Sequence, residues 1–184
     1  MSENEINELV QKVVNILKAA GDDEKRHRTV YVIFGCEWSN HYCLLFDEMK
    51  DMRKYQFRAV IPDQWKDDGN LQKLCEMAQW QEITCRSQQE SGPTGCDITV
   101  FPCFSRSLVA KTALGIDDTF ETRWIRKTME QGGKTVLLRN GLDRFTGKEP
   151  EMYIKTILEY YRVLLQFDIE PVGSIGEIDR GNTE

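Results

Sequence analysis

Long apolar runs are missing from this sequence of 184 residues. No stretch approaches the roughly 20 consecutive apolar residues that span a bilayer, so membrane insertion is not expected. A basic excess is missing as well, because 24 Lys and Arg stand against 30 Asp and Glu and the net charge is -6. Nucleic-acid binding needs clustered cations, and we therefore expect none. Residues 1–8 are acidic and polar and lack the basic start and apolar core of a secretory signal, which predicts a cytoplasmic protein.

Several catalytic and metal-binding motifs are also absent. The six cysteines contain no C-x-x-C pair, which argues against a disulfide framework or a zinc cage and favours reduced thiols. Neither the phosphate-binding loop of nucleotide hydrolases nor the G-x-S-x-G turn of serine hydrolases occurs. The histidines are limited to His27, in a charged linker, and His41. Histidine acid–base chemistry therefore has few candidates.

The sequence does contain alternating short apolar runs and helical patterns. This alternation predicts an α/β fold of three layers, Rossmann-like (flavodoxin-like), with a mostly parallel sheet and helices on both faces. The strands are predicted at 29–35, 55–61, 82–85, 98–101 and 134–138, and the helices at 40–52, 71–78, from 105, 118–131 and 151–166.

The chain divides into three segments. Residues 1–20 are predicted to form an extra amphipathic helix, because apolar residues recur at helical spacing between 6 and 17. Residues 28–172 form the α/β domain, and 173–184, with three Gly and alternating charge, is predicted to be a mobile tail. The N-terminal helix either belongs to the core or docks a partner. The polar loop 86–95 has the length of a lid or binding loop.

Two turns follow predicted strands and contain residues suited to ligand binding. The first turn, residues 35–39, begins with a Gly directly after its strand. In the second turn, residues 102–107, Pro102 ends a strand, and Ser105 and Ser107 offer hydroxyls at the start of a helix. Helix amides and the helix dipole favour an anion there. The alternative is a plain strand-to-helix turn capped by Ser105.

Residues 97–118 resemble the signature of the homo-oligomeric flavin-containing cysteine decarboxylase family, whose members bind FMN. The matching residues are Pro102, Ser105, Ala110, Lys111, Ala113, Gly115, Ile116 and Asp118. The first turn is similar to that family's Gly-x-x-Gly-Ser turn, with Trp38 in place of the second Gly. The resemblance implies a homo-oligomer, either a trimer or a dodecamer. It also implies FMN held between the two turns by Gly35, Cys36, Trp38, Ser39, Pro102, Phe104, Ser105, Arg106 and Ser107.

The chain departs from that family at residues that matter for chemistry. No His occurs in the interval 86–90, where the family has its acid–base His, and Asp63 stands where the family offers a hydroxyl to the cofactor phosphate. Cysteine decarboxylation is therefore not expected. The prediction is an FMN-binding flavoprotein with redox or lyase-type chemistry on an unassigned substrate. The alternatives are a cofactor-free family member that acts as a structural or interaction protein, and a binder of another mononucleotide.

Four further residues have two readings each. Trp38 and Trp65 either line a ring pocket or pack beneath a loop. Cys36 and Cys103 each follow a strand end and are either nucleophiles or structural residues.

Overall fold

The computed structural model describes residues 28–89, 92–95 and 98–182. The predicted N-terminal helix lies outside these residues. Within them, no helix combines the length and the apolar character needed to cross a bilayer.

The strands in the described part of the chain are β1 (Arg28–Ile33), β2 (Tyr55–Ile61), β3 (Glu82–Cys85), β4 (Ile98–Phe101), β5 (Lys134–Leu138) and β6 (Ile169–Val172). These six strands form one parallel sheet in the order β3-β2-β1-β4-β5-β6. The central strands are almost continuously apolar because both faces of the sheet are covered. The chain builds the sheet outward from β1 in one direction and from β4 in the other, so the strand order reverses between these two neighbours.

Helices cover both faces of the sheet. The α-helices are α1 (Tyr42–Met49), α2 (Asn70–Met77), α3 (Arg106–Ala113), α4 (Phe120–Glu130) and α5 (Glu151–Gln166). Alternate residues of each strand point to opposite faces, which separates two apolar cores. On the first face, Val30 and Val32 of β1 pack with α1, α2 and the final 3₁₀ helix (Ile175–Asn182). On the second face, Tyr31 and Ile33 pack with α3, α4 and α5. These three layers confirm the predicted fold.

The end of the chain differs from its prediction in two ways. The edge strand β6 was not expected, because four residues that include a Pro give almost no periodic signal; Pro171 is tolerated at an edge. The prediction of a mobile tail from residue 173 is wrong for the segment through residue 178. Ile175 and Ile178 are buried, and Glu48 of α1 accepts hydrogen bonds from the Ser174 hydroxyl and the Ile175 amide.

Candidate functional site

The two predicted turns lie side by side. Strands β1 and β4 are paired in parallel, with Val32 opposite Val100, so the chain leaves both strands at the same edge of the sheet. This edge is the switch point at which the strand order reverses, and open α/β sheets bind ligands there. The nine residues that the sequence assigns to a cofactor site are therefore close together.

Tyr42, at the start of α1, connects the two turns. Its hydroxyl donates to the Glu37 carbonyl oxygen at 3.3 Å, and the Gly35 amide and the Cys103 thiol are its other polar neighbours. Burial raises the pKa of this phenol far above its ordinary value, with the neighbouring Cys103 acting in the same direction. Tyr42 is therefore a neutral structural link at physiological pH.

Aromatic side chains cover the first turn. The ring centroid of Trp38 lies 5.3 Å from that of Trp65 and 5.6 Å from that of Tyr42. Trp65 is fully buried, and its indole N–H donates to the Cys36 carbonyl oxygen at 3.0 Å, to which the Gln64 amide also donates at 2.9 Å. Trp65 is thus a packing residue. Trp38 packs on it but stays half-buried, so part of its ring is accessible.

The backbone of the first turn has unused hydrogen-bond donors. Among residues 28–89, 92–95 and 98–182, no group accepts from the amides of Cys36, Glu37, Trp38 or Ser39. The Ser39 hydroxyl accepts from the His41 amide at 3.3 Å, and Cys36 is exposed. Consecutive free amides with a nearby hydroxyl are the donors that bind phosphate in many proteins.

The second turn uses more of its own donors, although among the described residues the amides of Cys103, Ser105 and Ser107 have no acceptor. Phe104 is 1% exposed and packs against Phe101, and its amide donates to the Gly141 carbonyl oxygen at 3.0 Å. Pro102 is buried too. The Ser105 hydroxyl accepts from the Leu108 amide at 3.2 Å, which is the N-cap that the sequence predicts. Phe104 and Pro102 therefore shape the turn. Their side chains are buried away from a ligand, and the amide of Phe104 is already bonded.

Arg106 is held by carboxylates of the protein. Its amide donates to Asp143 Oδ2 at 3.0 Å, and its guanidinium lies 3.2 Å from Glu149 Oε1 and 5.2 Å from the centre of the Phe145 ring. Hydrogen bonds from the Thr146 amide, and then from its hydroxyl and from Arg106, lower the pKa of Glu149 to about 2. The anion at the start of this helix is therefore the Asp143 carboxylate of the protein itself. Ser107, the next residue of the helix, is exposed.

Gly141 brings the loop after β5 against the second turn. A Cβ atom built at Gly141 would lie 1.7 Å from the Pro102 carbonyl oxygen and 2.9 Å from the Cys103 Cα. Only glycine permits this approach. Sequence reasoning did not single out Gly141, although a Gly shortly after a strand is a recognisable signal.

Arg86 crosses the carboxyl edge of the sheet. It follows β3, yet its Nη2 donates to the Phe34 carbonyl oxygen beyond β1 at 2.6 Å and lies 2.7 Å from Glu121 Oε1 of α4. The side chains of Arg86 and Glu121 are each 15% exposed, and the guanidinium lies 5.1 Å from the centre of the Phe120 ring. Arg86 Nε is buried without an acceptor in the described part of the chain. The sequence marked Arg86 only by its place directly after a strand.

Asp63, after β2, keeps its negative charge by contact with the next loop. Its carboxylate accepts from the Ser87 hydroxyl and, at 3.3 Å, from the Ser87 amide. The hydrogen bond from the hydroxyl is the main cause that lowers the Asp63 pKa. In the described residues, no group of three or more His, Cys, Asp or Glu is arranged to hold a metal ion.

The strand order and the paired turns define a Rossmann-like α/β protein with its candidate site at the switch point. No family model matches the sequence, and no curated protein is a sequence match. Solved structures do share the fold. The FMN-dependent cysteine decarboxylase TvaF from thioviridamide biosynthesis is 9% identical, with a TM-score of 0.57 over 84% of this chain and 94% of that one.

Two further solved structures are similar at the same level. AnUbiX, solved with FMN and dimethylallyl pyrophosphate, is 15% identical, with a TM-score of 0.53 over 84% of this chain and 87% of that one. A dodecameric FMN-dependent UbiX-like decarboxylase from Escherichia coli O157:H7 is 15% identical, with a TM-score of 0.52 over 79% of each chain. At such identities the similarity establishes a common fold.

Proposed function

We propose that this chain is a divergent member of the homo-oligomeric flavin-containing cysteine decarboxylase family and binds FMN non-covalently at the switch point. The observation that carries the proposal is the first turn, whose four amides without acceptors lie beside the second turn on the neighbouring strand. The signature-like segment 97–118 and the shared fold with FMN-dependent decarboxylases support it.

The residues present fit the cofactor unequally. The amides of residues 36–39 and the Ser39 hydroxyl suit the phosphate, and the exposed edge of Trp38 suits an aromatic ring. Ser107, exposed at the start of α3, adds a donor on the other side. The buried, unpartnered Nε of Arg86 is a donor to which a ligand oxygen would be complementary.

A bound flavin supplies redox or decarboxylation chemistry, while the protein orients it and sets the charge around it. The structure contains no His after β3 to act as the family's acid–base group, because residues 86–89 are Arg, Ser and two Gln. We therefore assign FMN binding without a substrate. The two turns have different roles in this proposal. The first turn binds the phosphate, and the second turn forms the other side of the site.

We also propose that the chain forms a homo-oligomer, a trimer or a dodecamer. Leu158 and Leu165 of α5 are 47% and 51% exposed, one above the other on the helix, and Phe167 follows at 40%. Such apolar exposure is typical of contact surfaces between chains. The cytoplasmic localisation is predicted from the sequence alone.

A cofactor-free family member is the second candidate function. Asp143 already places a carboxylate on the Arg106 amide, and Asp63 keeps another charge after β2, so protein anions stand near the site proposed for phosphate. A protein that keeps the fold for structural or interaction purposes would tolerate these groups. Binding of a different mononucleotide is the third.

The absorbance spectrum of the purified protein separates these functions. We expect flavin bands in the protein as isolated or after incubation with FMN, and mass spectrometry of the ligand released on denaturation should identify FMN. Colourless protein that takes up no FMN would overturn the proposal in favour of the cofactor-free function. Thermal stabilisation of colourless protein by another mononucleotide would favour the third candidate.

A further inference from the structure

A groove of about 890 Å³ lies at the amino-terminal edge of the sheet, opposite the switch point. The end of α1, the start of β2 and the end of α2 form its walls. Its apolar lining includes Met49, Met52, Phe57, Met77 and Trp80, of which Met52, Met77 and Trp80 are only partly buried. Methionine and aromatic side chains of this kind adapt to the apolar face of a helix.

The groove exists because the helices of the first face are short. The helices α1 and α2 have eight residues each, about 12 Å of helix. Strand β2 beside them has seven residues, about 23 Å. The second face is covered differently, because α5 has 16 residues and extends about 24 Å. Among the residues that the structure describes, no α-helix therefore covers the amino-terminal edge of the first face.

We propose that residues 3–19 of the same chain pack into this groove as an amphipathic helix. The apolar residues of the segment recur at i, i+3, i+4 and i+7, so one face of the helix is apolar. Seventeen residues make a helix of about 25 Å, which is comparable with the roughly 23 Å of β2. The stripe consists of Ile6, Leu9, Val10, Val13, Val14 and Leu17.

The connection between the segment and the groove has the required reach. The described chain enters the sheet at Arg28, which is paired in register with Tyr55, and Tyr55 lines the groove. Residues 20–27 can extend over about 26 Å. Because they start from Arg28, beside the groove, this length is enough to connect residue 19 to it. A single chain can therefore place its own segment there without exchange between subunits.

Among the charged residues that line the groove, Lys50 and Arg53 outnumber Glu76, so the rim is complementary to an acidic segment. Arg53 is exposed at the edge of the groove, between the end of α1 and the start of β2. The first part of the segment carries Glu3, Glu5 and Glu8, and its only cations, Lys12 and Lys18, come later. An acidic end near Arg53 is favourable, although surface pairs contribute at most about 1 kcal/mol. This contact would orient the helix, while apolar burial would hold it.

Cys75 allows a direct test in the full-length protein, because it is exposed and lines the groove. We would introduce a thiol in the stripe by Leu9→Cys, Val13→Cys or Leu17→Cys, and on the opposite face by Gln11→Cys or Asn15→Cys. After mild oxidation, peptide mass spectrometry would identify the disulfide partners. At least one stripe thiol should bond Cys75 within the same chain, at a rate ten or more times that of the opposite-face thiols.

Equal rates for both faces would overturn the proposal, and so would a Cys75 disulfide formed only between two chains, which would assign the groove to a second copy. A second measurement covers the case of poor oxidation. Val13→Asp should lower the Tm by about 5 °C or more, because it puts a charge into the apolar contact, whereas Asn15→Asp should leave it nearly unchanged. Equal Tm values for the two variants would contradict the docking. Neither readout depends on flavin.

Discussion

The two turns at the switch point differ in what holds their backbones. In the first turn, Tyr42 of α1 and Trp65, which follows β2, pack on Trp38, and Trp65 also donates to the Cys36 carbonyl oxygen. The amides of residues 36–39 stay available. In the second turn, the Gly141 carbonyl oxygen and the Asp143 carboxylate accept from the amides of Phe104 and Arg106, and the Ser105 hydroxyl accepts from the Leu108 amide. The first turn is held by side chains that pack on it, so its four amides remain available to a ligand. The second turn is held partly through its own amides, so fewer of its donors remain. The sequence places the anion site at the second turn as much as at the first, and the geometry favours the first.

Substitution of Gly141, which packs against the second turn, and of Gly35 in the first turn should give the largest difference in stability. Gly141→Ala should destabilise the protein by about 3 kcal/mol or more, because the new Cβ would collide with the Pro102 carbonyl group and force the backbones apart. Gly35→Ala should change stability by about 1 kcal/mol or less, since the nearest atom to its Cβ, Tyr42 Oη, is 3.7 Å away. Urea denaturation of both variants measures the difference. Equal losses would mean that the first turn is as tightly built as the second.

The Arg86–Glu121 pair tests the link across the two regions. Arg86→Met should cost about 2 to 3 kcal/mol, because it leaves Glu121 and the Phe34 carbonyl group partly buried without their donor. Adding Glu121→Gln to this variant should recover part of the loss, and a double-mutant cycle by urea denaturation measures the coupling. Losses that simply add would show that the two residues act independently.

The N-cap of the second turn gives a smaller effect. Ser105→Ala should destabilise the protein by about 1 kcal/mol, because the Leu108 amide loses its acceptor. Ser107→Ala is the matched control, since Ser107 is exposed and its hydroxyl bonds no described group. Chemical denaturation should rank Ser105→Ala clearly below Ser107→Ala, and the reverse order would contradict the assignment of the cap.

Acid should loosen the second turn. The folded-state pKa of Glu149 is about 2, below its ordinary value of 4.5. The stability that this carboxylate contributes is therefore complete above pH 4.5 and is lost as the pH falls toward 2. Stability measured against pH should decline over this range, and Glu149→Gln should make the decline shallower. An unchanged slope in the variant would show that Glu149 does not hold the loop in this way.

The predictable part of the molecule is the part set by local pattern. The strands at 55–61, 98–101 and 134–138 are apolar enough to be bounded correctly, and the helix start at Ser105 follows from its hydroxyl. The convergence of the two turns follows from parallel topology, because strands that leave a sheet at the same edge bring their ends together. Local pattern and sheet geometry therefore sufficed to predict that the two turns lie at the same edge of the sheet.

The unpredicted part depends on contacts between distant residues. Arg86 reaches past β2 to the end of β1, and Asp143 binds an amide 37 positions earlier in the chain. The close approach of Gly141 to Pro102 becomes visible only when β4 and β5 are paired. Such contacts follow from tertiary structure, and each of them changes which donors of the site remain available to a ligand.

Titration of flavin-free protein into FMN, followed by quenching of flavin fluorescence, tests the central claim most directly. The account predicts saturable quenching with FMN and at least tenfold weaker binding of riboflavin, which lacks the phosphate. Ser39→Asp should abolish most of the affinity, because its charge would lie beside the free amides. Thr156→Asp, which adds the same charge on the exposed surface of α5, should bind like the unmodified protein. Absence of saturable quenching, or equal affinity for FMN in Ser39→Asp and the unmodified protein, would contradict a phosphate site at the first turn.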